Sequence, residues 1–391
     1  MGILALYNPV CGSSSAHDFF TAHVLPLLAS HDVKVVATES EGHAGVVVTD
    51  FLLDPDNSED DRTVILGSGD GTLHEIINHL SANVPASARR RRLHFALVPC
   101  GTANALYSSL FPPGPDADSV AYKLQSVQSL LDRKPAIPLT IAITRLFGPP
   151  ASRSPPAFTV SAVVTSTALH AAILRDSESL RATHPGIERF KIAAAQNLTK
   201  WYYAWAKLLP APDAGVVQIY DADTKGWITH PDSHEDDPIV DVDGPFTYWL
   251  STVNVDRLEP QFKITPHGAR SQATLDLVLV RPFRDPTVSM DTPDARTAFS
   301  AKVMKLLHGA YDDGAHLDLR YGPDGELVTG GDGEAAVEYV RCGGWEWAPD
   351  DSDEDAHVLC ADGAIFPIAK GGRALCNAAK PDDSAGFMVY A

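Results

Sequence analysis

Gly67-Ser68-Gly69-Asp70-Gly71-Thr72 places one carboxylate inside a glycine-rich turn between two segments of different periodicity. Before it, Arg62-Thr63-Val64-Ile65-Leu66 is short, apolar and β-branched, whereas Leu73, Ile76, Ile77 and Leu80 after it recur at helical spacing. The turn therefore leads from a strand into a helix. Glycines let the backbone approach an anion closely, and the unpaired N–H groups of a new helix favour negative charge. This is a phosphate-handling turn with a candidate base in it. Two other phosphate-binding patterns are excluded: the dinucleotide fingerprint needs glycine where Thr72 stands, and no glycine-rich loop ending in Gly-Lys-Ser/Thr occurs.

The same alternation extends to both sides. Strands are predicted at Ile3–Tyr7, Val33–Ala37, Thr63–Leu66 and His94–Val98, with helices around His17–Ser30, Ala44–Leu53 and Leu73–Leu80. Strand and helix in alternation imply a parallel sheet with crossover helices on both faces. Phe19, Phe20, Val24, Leu27 and Leu28 would form the buried stripe of the first helix. From about residue 136 the period changes to two: Ile137, Leu139, Ile141 and Ile143 alternate, as do Leu275, Leu277 and Leu279, and then Leu317, Leu319 and Tyr321. Half-buried antiparallel strands are expected there, with one helix over Pro293–His308. The organisation read from these patterns is an α/β lobe over residues 1–136, a β-rich lobe over 137–347, and an extension over 348–391 holding one strand with flexible acidic flanks.

Composition narrows the function. The chain has 391 residues, is 45% hydrophobic and carries a formal charge of −19, with acidic runs at Asp54–Asp61, Glu235–Asp243 and Asp350–Asp355 that read as solvated loops. Nucleic acid is an unfavourable partner for such a surface. Arg89-Arg90-Arg91-Arg92 precedes a strand, so it belongs at the sheet edge away from a ligand crevice. Five cysteines without a Cys-x-x-Cys pair argue for reduced thiols and no zinc site. The segment Ala157–Leu174 is interrupted by Ser, Thr and His170, so it reads as buried structure rather than a membrane span. The absence of a basic leader segment gives a cytoplasmic expectation.

Three further loops fall at the same sheet edge as the opening turn: Asn8-Pro9-Val10-Cys11-Gly12-Ser13, Thr38-Glu39, and Pro99-Cys100-Gly101-Thr102-Ala103-Asn104-Ala105. Four loops rich in Gly, Ser, Thr and Asn make a nucleotide crevice. Asn-Pro-x-x-Gly, Ser-Gly-Asp-Gly-Thr and Pro-x-Gly-Thr-x-Asn, in this order, resemble the diacylglycerol kinase catalytic domain superfamily. Asp176-Ser177-Glu178-Ser179-Leu180-Arg181, Gly186, Arg189-Phe190 and the turn Asp332-Gly333-Glu334 resemble its sphingosine kinase and ceramide kinase branch.

The resemblance implies a phosphofructokinase-like lobe followed by an antiparallel β-sandwich lobe. It implies ATP-dependent phosphorylation of a lipid's primary hydroxyl, with Mg²⁺ carried on the ATP phosphates, by an enzyme that visits membranes transiently. Carried over to these positions, Asp70 is the general base. Asn8, Ser13, Thr38, Ser68, Gly69, Gly71, Glu75, Gly101 and Thr102 hold the nucleotide. Arg181 and Arg189 reach the phosphates from the second lobe, and Gly333 and Glu334 close the site; the nearby Asp324-Gly325-Glu326 imitates that motif but reads as a β-turn.

Two departures stand out. Cys11 replaces the usual serine of the first motif, and Ala171-Ala172-Ile173-Leu174 stands where the sphingosine branch places an aspartate for the lipid ammonium. Either Asp176 or another acid substitutes for that aspartate beside Leu174, or the acceptor is ceramide or diacylglycerol; the motif likeness places a sphingoid base first. NAD kinase, which shares the glycine-aspartate-glycine turn, and a lipid-sensing relative without turnover are the other readings. The aromatic run Trp201–Trp205 suits either a lipid-facing surface or a helix packed on the sandwich.

Overall fold

The computed structural model describes residues 2–54, 61–84, 92–150, 152, 154–184, 186, 188–268, 272–379 and 386–391. Arg89, Arg90, Arg91 and most of the first acidic run lie outside them.

The first lobe is built on a six-stranded sheet in the order Val33–Ala37, Gly2–Tyr7, Arg62–Ser68, Leu93–Pro99, Phe387–Val389, Ile137–Pro138. The first five run parallel and the last antiparallel. Alternate residues of each strand fill separate cores, as a sheet covered on both faces requires. Ile3, Ala5, Tyr7, Ile65 and Val98 pack with Phe20, Val24 and Leu28 on one face. Leu4, Leu6, Val64 and Leu66 pack with Val48, Phe51, Leu73 and Ile77 on the other.

The first helix is less regular than its spacing predicts. It starts as an α-turn at Ala16–Phe19, widens to a π-turn at Phe20–Val24 and tightens to a 3-10 turn at Leu25–Leu28. Pro26 lacks an N–H, so the α-helical ladder cannot continue through it. Leu27 consequently faces outward, 39% exposed.

The second lobe is a sandwich of two antiparallel sheets. One has eight strands, in the order Gly226–Thr229, Gln218–Asp221, Glu338–Cys342, Leu275–Val280, Tyr248–Thr252, Val164–Thr167, Val358–Ala361, Ala364–Pro367. The other has six: Val240–Asp243, Ala204–Leu209, Gly344–Pro349, Arg373–Ala379, Ile141–Phe147, Ala157–Ser161. Trp249, Phe246, Trp345 and Trp347 meet between them, and Trp345 Nε1 donates to Ser251 Oγ at 2.9 Å across the gap. Each buried tryptophan contributes on the order of 4–5 kcal/mol of apolar burial as an upper bound.

Three expectations change here. Leu275–Val280 is buried along its whole length, with Val303 and Leu306 of helix Pro293–Tyr311 set beside Val278 and Val280 and Arg341 paired with Asp276 at 2.9 Å. The aromatic run is no helix: Trp201 and Tyr202 are buried, and strand Ala204–Leu209 begins beyond them with Trp205 outward. The last 44 residues supply four strands rather than one, to all three large sheets. Their acidic start is structural, since Asp355 pairs with Arg175 and Lys200 at 3.1 and 2.8 Å, and Asp353 accepts the Tyr203 N–H at 2.8 Å. Charge ordered by partners on distant segments looks like a solvated run in sequence.

Candidate active site

Parallel strands deliver their following loops to one edge. Tyr7 is in register with both Ala37 and Gly67, and Ser68 with Pro99, so Asn8, Thr38, Gly69 and Cys100 emerge side by side. The backbone joins them: Asn8 N–H donates to Gly67 O, Thr38 N–H to Tyr7 O, and Cys100 N–H to Ser68 O. Asn8 Oδ1 accepts the Val10 N–H at 3.1 Å and shapes its own loop. Cys11 donates its thiol to Cys100 O at 3.3 Å, which ties the first loop to the fourth. The serine replacement is therefore accommodated by a loop-to-loop bond. Burial pushes the Cys11 thiol up and the Cys100 thiol to about 12, so both stay protonated at neutral pH.

The glycines divide the work. A Cβ on Gly101 would lie 2.4 Å from Gly69 Cα, so these two loops touch backbone to backbone. Gly67 serves packing instead, because a Cβ there would strike the Phe20 ring at 2.1 Å. Asn104, in the left-handed region with φ 52°, clasps Gly101 through both groups of its amide, at 2.9 and 2.8 Å. Of the N–H groups at the start of helix Asp70–Asn83, that of Thr72 donates to Gly69 O at 3.2 Å, and an anion at this turn would meet the positive end of the helix dipole.

Asp70 is the first residue of that helix, yet it caps a different one. Its Oδ2 accepts the Ala105 N–H at 2.7 Å and its Oδ1 the Leu106 N–H at 3.1 Å, at the start of helix Ala105–Leu110. Each carboxylate oxygen keeps a second lone pair. Desolvation pushes its pKa to about 6, against the two N–H bonds, which lower it; the charge of Asp362 raises it further. Ser68 and Thr72 share a buried hydroxyl pair beneath the turn.

The remaining expected site residues separate into those the fold gathers and those it does not. Ser13 stands exposed on its loop, its hydroxyl on Ser15; Thr102 and Gly71 are exposed at the same edge. Glu75 accepts the Gly45 N–H at 3.2 Å and so joins helix Asp70–Asn83 to helix His43–Leu53. Arg181 turns to Glu178 at the surface, 2.7 Å away, and the Arg189 guanidinium lies 4.6 Å over the Phe190 ring. Asp176 is held by Arg175 at 2.6 Å and by Asn197 at 2.7 Å, which keeps its carboxyl below the usual range despite partial burial. Leu174 packs with Ala171 against Val358, Cys360 and Ile365.

Gly333 and Glu334 do not close this site. Tyr321 N–H and Arg320 bond their carbonyls, and Arg284 pairs with the Glu334 carboxylate while also reaching Glu338 at 3.3 Å. Glu338 is in register with Leu279, beside the Tyr248 end of the eight-stranded sheet; the first lobe meets the Thr252–Val164 end. The two ends are four residues apart, roughly 13 Å along a strand. An Asp-Gly turn does reach the first lobe, and it is Asp362-Gly363. Its carboxylate faces His74, one turn beyond Asp70. Sequence reading passed it over because Ala364 stands in place of the glutamate that the motif demands. His74 and Asn78 were also missed. Their signal was the polar stripe Asp70, His74, Asn78 at four-residue spacing, alongside the apolar stripe Leu73, Ile76, Ile77, Leu80.

Among the described residues no group of three His, Cys, Asp or Glu side chains is placed to hold a metal ion, and no helix is long and apolar enough to cross a membrane.

Comparison with known proteins agrees with this geometry. Residues 2–132 match the family described as diacylglycerol kinase catalytic domain. Sphingosine kinase 2 from Homo sapiens is 35% identical over 106 residues, 27% of this chain and 15% of that protein. Sphingosine kinase 1 from Homo sapiens is 34% identical over 110 residues, 28% of this chain and 27% of that protein. Sphingoid long chain base kinase 5 from Saccharomyces cerevisiae is 26% identical over 132 residues, 33% of this chain and 18% of that protein. These matches thus span between 15% and 27% of the curated relatives' length. The fold is similar to that of a putative diacylglycerol kinase from Bacillus anthracis str. Sterne, with a TM-score of 0.55 at 15% identity, covering 99% of this chain and 95% of that one. Over residues 2–132, the first third of its length, the chain is similar in sequence to the diacylglycerol kinase catalytic domain.

Proposed function

We propose that this protein is an ATP-dependent lipid kinase that phosphorylates the primary hydroxyl of a long-chain lipid. One observation carries the reading: a desolvated carboxylate, Asp70, stands at the edge where four glycine- and hydroxyl-rich loops converge. With its pKa at about 6, Asp70 is ionised at neutral pH yet basic enough to matter. Its unused lone pairs accept the proton of the lipid hydroxyl as that oxygen bonds to the γ-phosphorus. The bond from phosphorus to the bridging oxygen breaks, and its electron pair leaves on ADP. Phosphoryl transfer requires mainly positioning and charge neutralisation. The positive end of helix Asp70–Asn83, beside Gly69, supplies part of that. Mg²⁺ on the ATP phosphates would supply the rest.

A sphingoid base is the first acceptor to consider, because three relatives similar in sequence are named for sphingosine and sphingoid bases. Leu174 favours a second reading. It contributes no charge for an ammonium, and Asp176 is already engaged by Arg175 and Asn197. Ceramide or diacylglycerol fits such a wall better, since an amine desolvated there would lack a partner. The test is transfer of γ-phosphate from Mg²⁺-ATP to a panel of sphingosine, ceramide, diacylglycerol and NAD. Transfer to a lipid is expected. Product from NAD alone, or from none of the four, would overturn the proposal.

A further inference from the structure

Asp362 stands in the turn between strands Val358–Ala361 and Ala364–Pro367 with φ 47°, a left-handed backbone that costs an aspartate some strain. Its side chain is 1% exposed, and its recorded partners are distant in sequence. Oδ2 accepts the Ala162 N–H at 2.7 Å, and Oδ1 accepts those of Val163 and Val164 at 3.0 and 2.7 Å. Three successive N–H groups form a concave anion seat, filled here by a carboxylate almost two hundred residues later in the chain. On its other side Oδ2 faces His74 Nδ1 at 3.4 Å.

His74 lies one helical turn after Asp70, and Asn78 one turn further, on the same face. Asn78 is bonded to both backbone groups of Val160. The helix that carries the base is thus fastened to the second lobe at two successive turns.

We propose that Asp362 is a positioning residue for phosphoryl transfer: it holds the Asp70 helix against the second lobe through His74 and keeps a fixed negative charge near the base. This rests on the kinase reading above. The titratable groups around the pair are His74, on the Asp70 helix, Tyr107, which lines the same cavity as Asp70 and whose hydroxyl pKa burial raises, and Cys360, on Asp362's own hairpin, whose thiol is pushed up to about 12 by burial and by Asp362. Helix Ala105–Leu110 and the segment Ala162–Val164 present backbone N–H groups to the two carboxylates. The Asp362 charge therefore acts on Asp70 in the same direction as burial does, against ionisation.

The experiment has one readout that needs no turnover. Asp70 is titrated by carbon NMR in protein labelled at the aspartate carboxyls, with the resonance assigned by its loss in Asp70→Asn. In Asp362→Asn the midpoint is expected to fall by roughly half a unit or more; an unmoved midpoint overturns the coupling. The second readout is kinetic: Asp362→Asn and His74→Gln are each expected to lower kcat about three- to tenfold, with KM for ATP within about twofold, as for a misplaced catalytic group. Should Asp362→Asn fail to fold, His74→Gln, which leaves the N–H seat filled, decides alone, and an unchanged kcat overturns the positioning role. A wild-type protein active on no lipid would defeat the kinase reading, while the Asp70 titration would still decide the effect of Asp362.

Discussion

Asn78 pairs with Val160 as a strand would: its Nδ2 donates to the Val160 carbonyl and its Oδ1 accepts the Val160 N–H, each at 2.8 Å. Strand Ala157–Ser161 is the outer strand of its sheet, so the amide covers a short length of open edge. Replacing Asn78 by Ala strips partners from two backbone groups. A loss of about 2–3 kcal/mol in unfolding free energy is expected, measured by denaturant titration. A change within about 0.5 kcal/mol would mean that water replaces the amide.

Asp70→Asn removes the base and replaces one of two acceptor oxygens with a donor. Turnover should fall by about two to four orders of magnitude, with ATP affinity, read by calorimetry, within a few-fold. Equal turnover would remove Asp70 from the mechanism.

With Asp70 titrating near 6, kcat/KM should decline by one proton below that pH and level off above it. The stability effect has the opposite sense. Because the folded pKa is above the ordinary carboxyl value, the native state binds more protons between about pH 4 and 6, and stability from this group declines as pH rises through that window. Asp70→Asn should therefore gain stability relative to wild type between pH 4 and pH 7, as read by chemical denaturation at both pH values. A constant difference would argue against the raised pKa.

Two glycines of the cradle should respond differently to alanine. A Cβ at Gly101 meets Gly69 Cα at 2.4 Å and Asn104 Oδ1 at 2.9 Å, so the loops must part and nucleotide affinity should fall about tenfold or more. At Gly71 a Cβ meets nothing within 4 Å, and the helix gains roughly 0.5–1 kcal/mol from the better helix former. If phosphate occupies that space, Gly71→Ala binds ATP weakly while unfolding at a higher temperature. Unaltered binding would place the phosphates elsewhere.

Glu334→Ala breaks an ion pair with Arg284 at the far end of the sandwich. Turnover and KM for ATP should stay within about twofold of wild type. A large rise in KM would return Glu334 to the nucleotide site.

The local pattern of the chain was sufficient for the first lobe. Strand Val33–Ala37 has the bounds its residues suggest, and the other three sequence-read strands differ by one or two residues at their ends. Strand-then-helix order with parallel crossovers forces the loops at Asn8, Thr38, Gly69 and Gly101 onto one edge, so the cradle was legible without coordinates. Glycine turns and apolar periods are short-range signals, and the parallel topology converts them into a place.

Tertiary structure alone decided which residues from the remaining two thirds meet that edge. Three Asp-Gly pairs occur after residue 320, at Asp324, Asp332 and Asp362. The first two are each followed by glutamate, and spacing alone favoured Asp332 over Asp324; Asp362, followed by Ala364, carried no such signal. The antiparallel register placed Asp332-Gly333 at the far end of the sandwich and brought the last of them against His74. The same register ordered the acidic tail, through Arg175, Lys200 and the Tyr203 amide. Sheet pairing between strands far apart in sequence leaves no short-range signature, because its partners are set by burial of alternate faces across the whole sandwich. Hence Asp70 could be found from six residues, whereas Asp362 needed the fold.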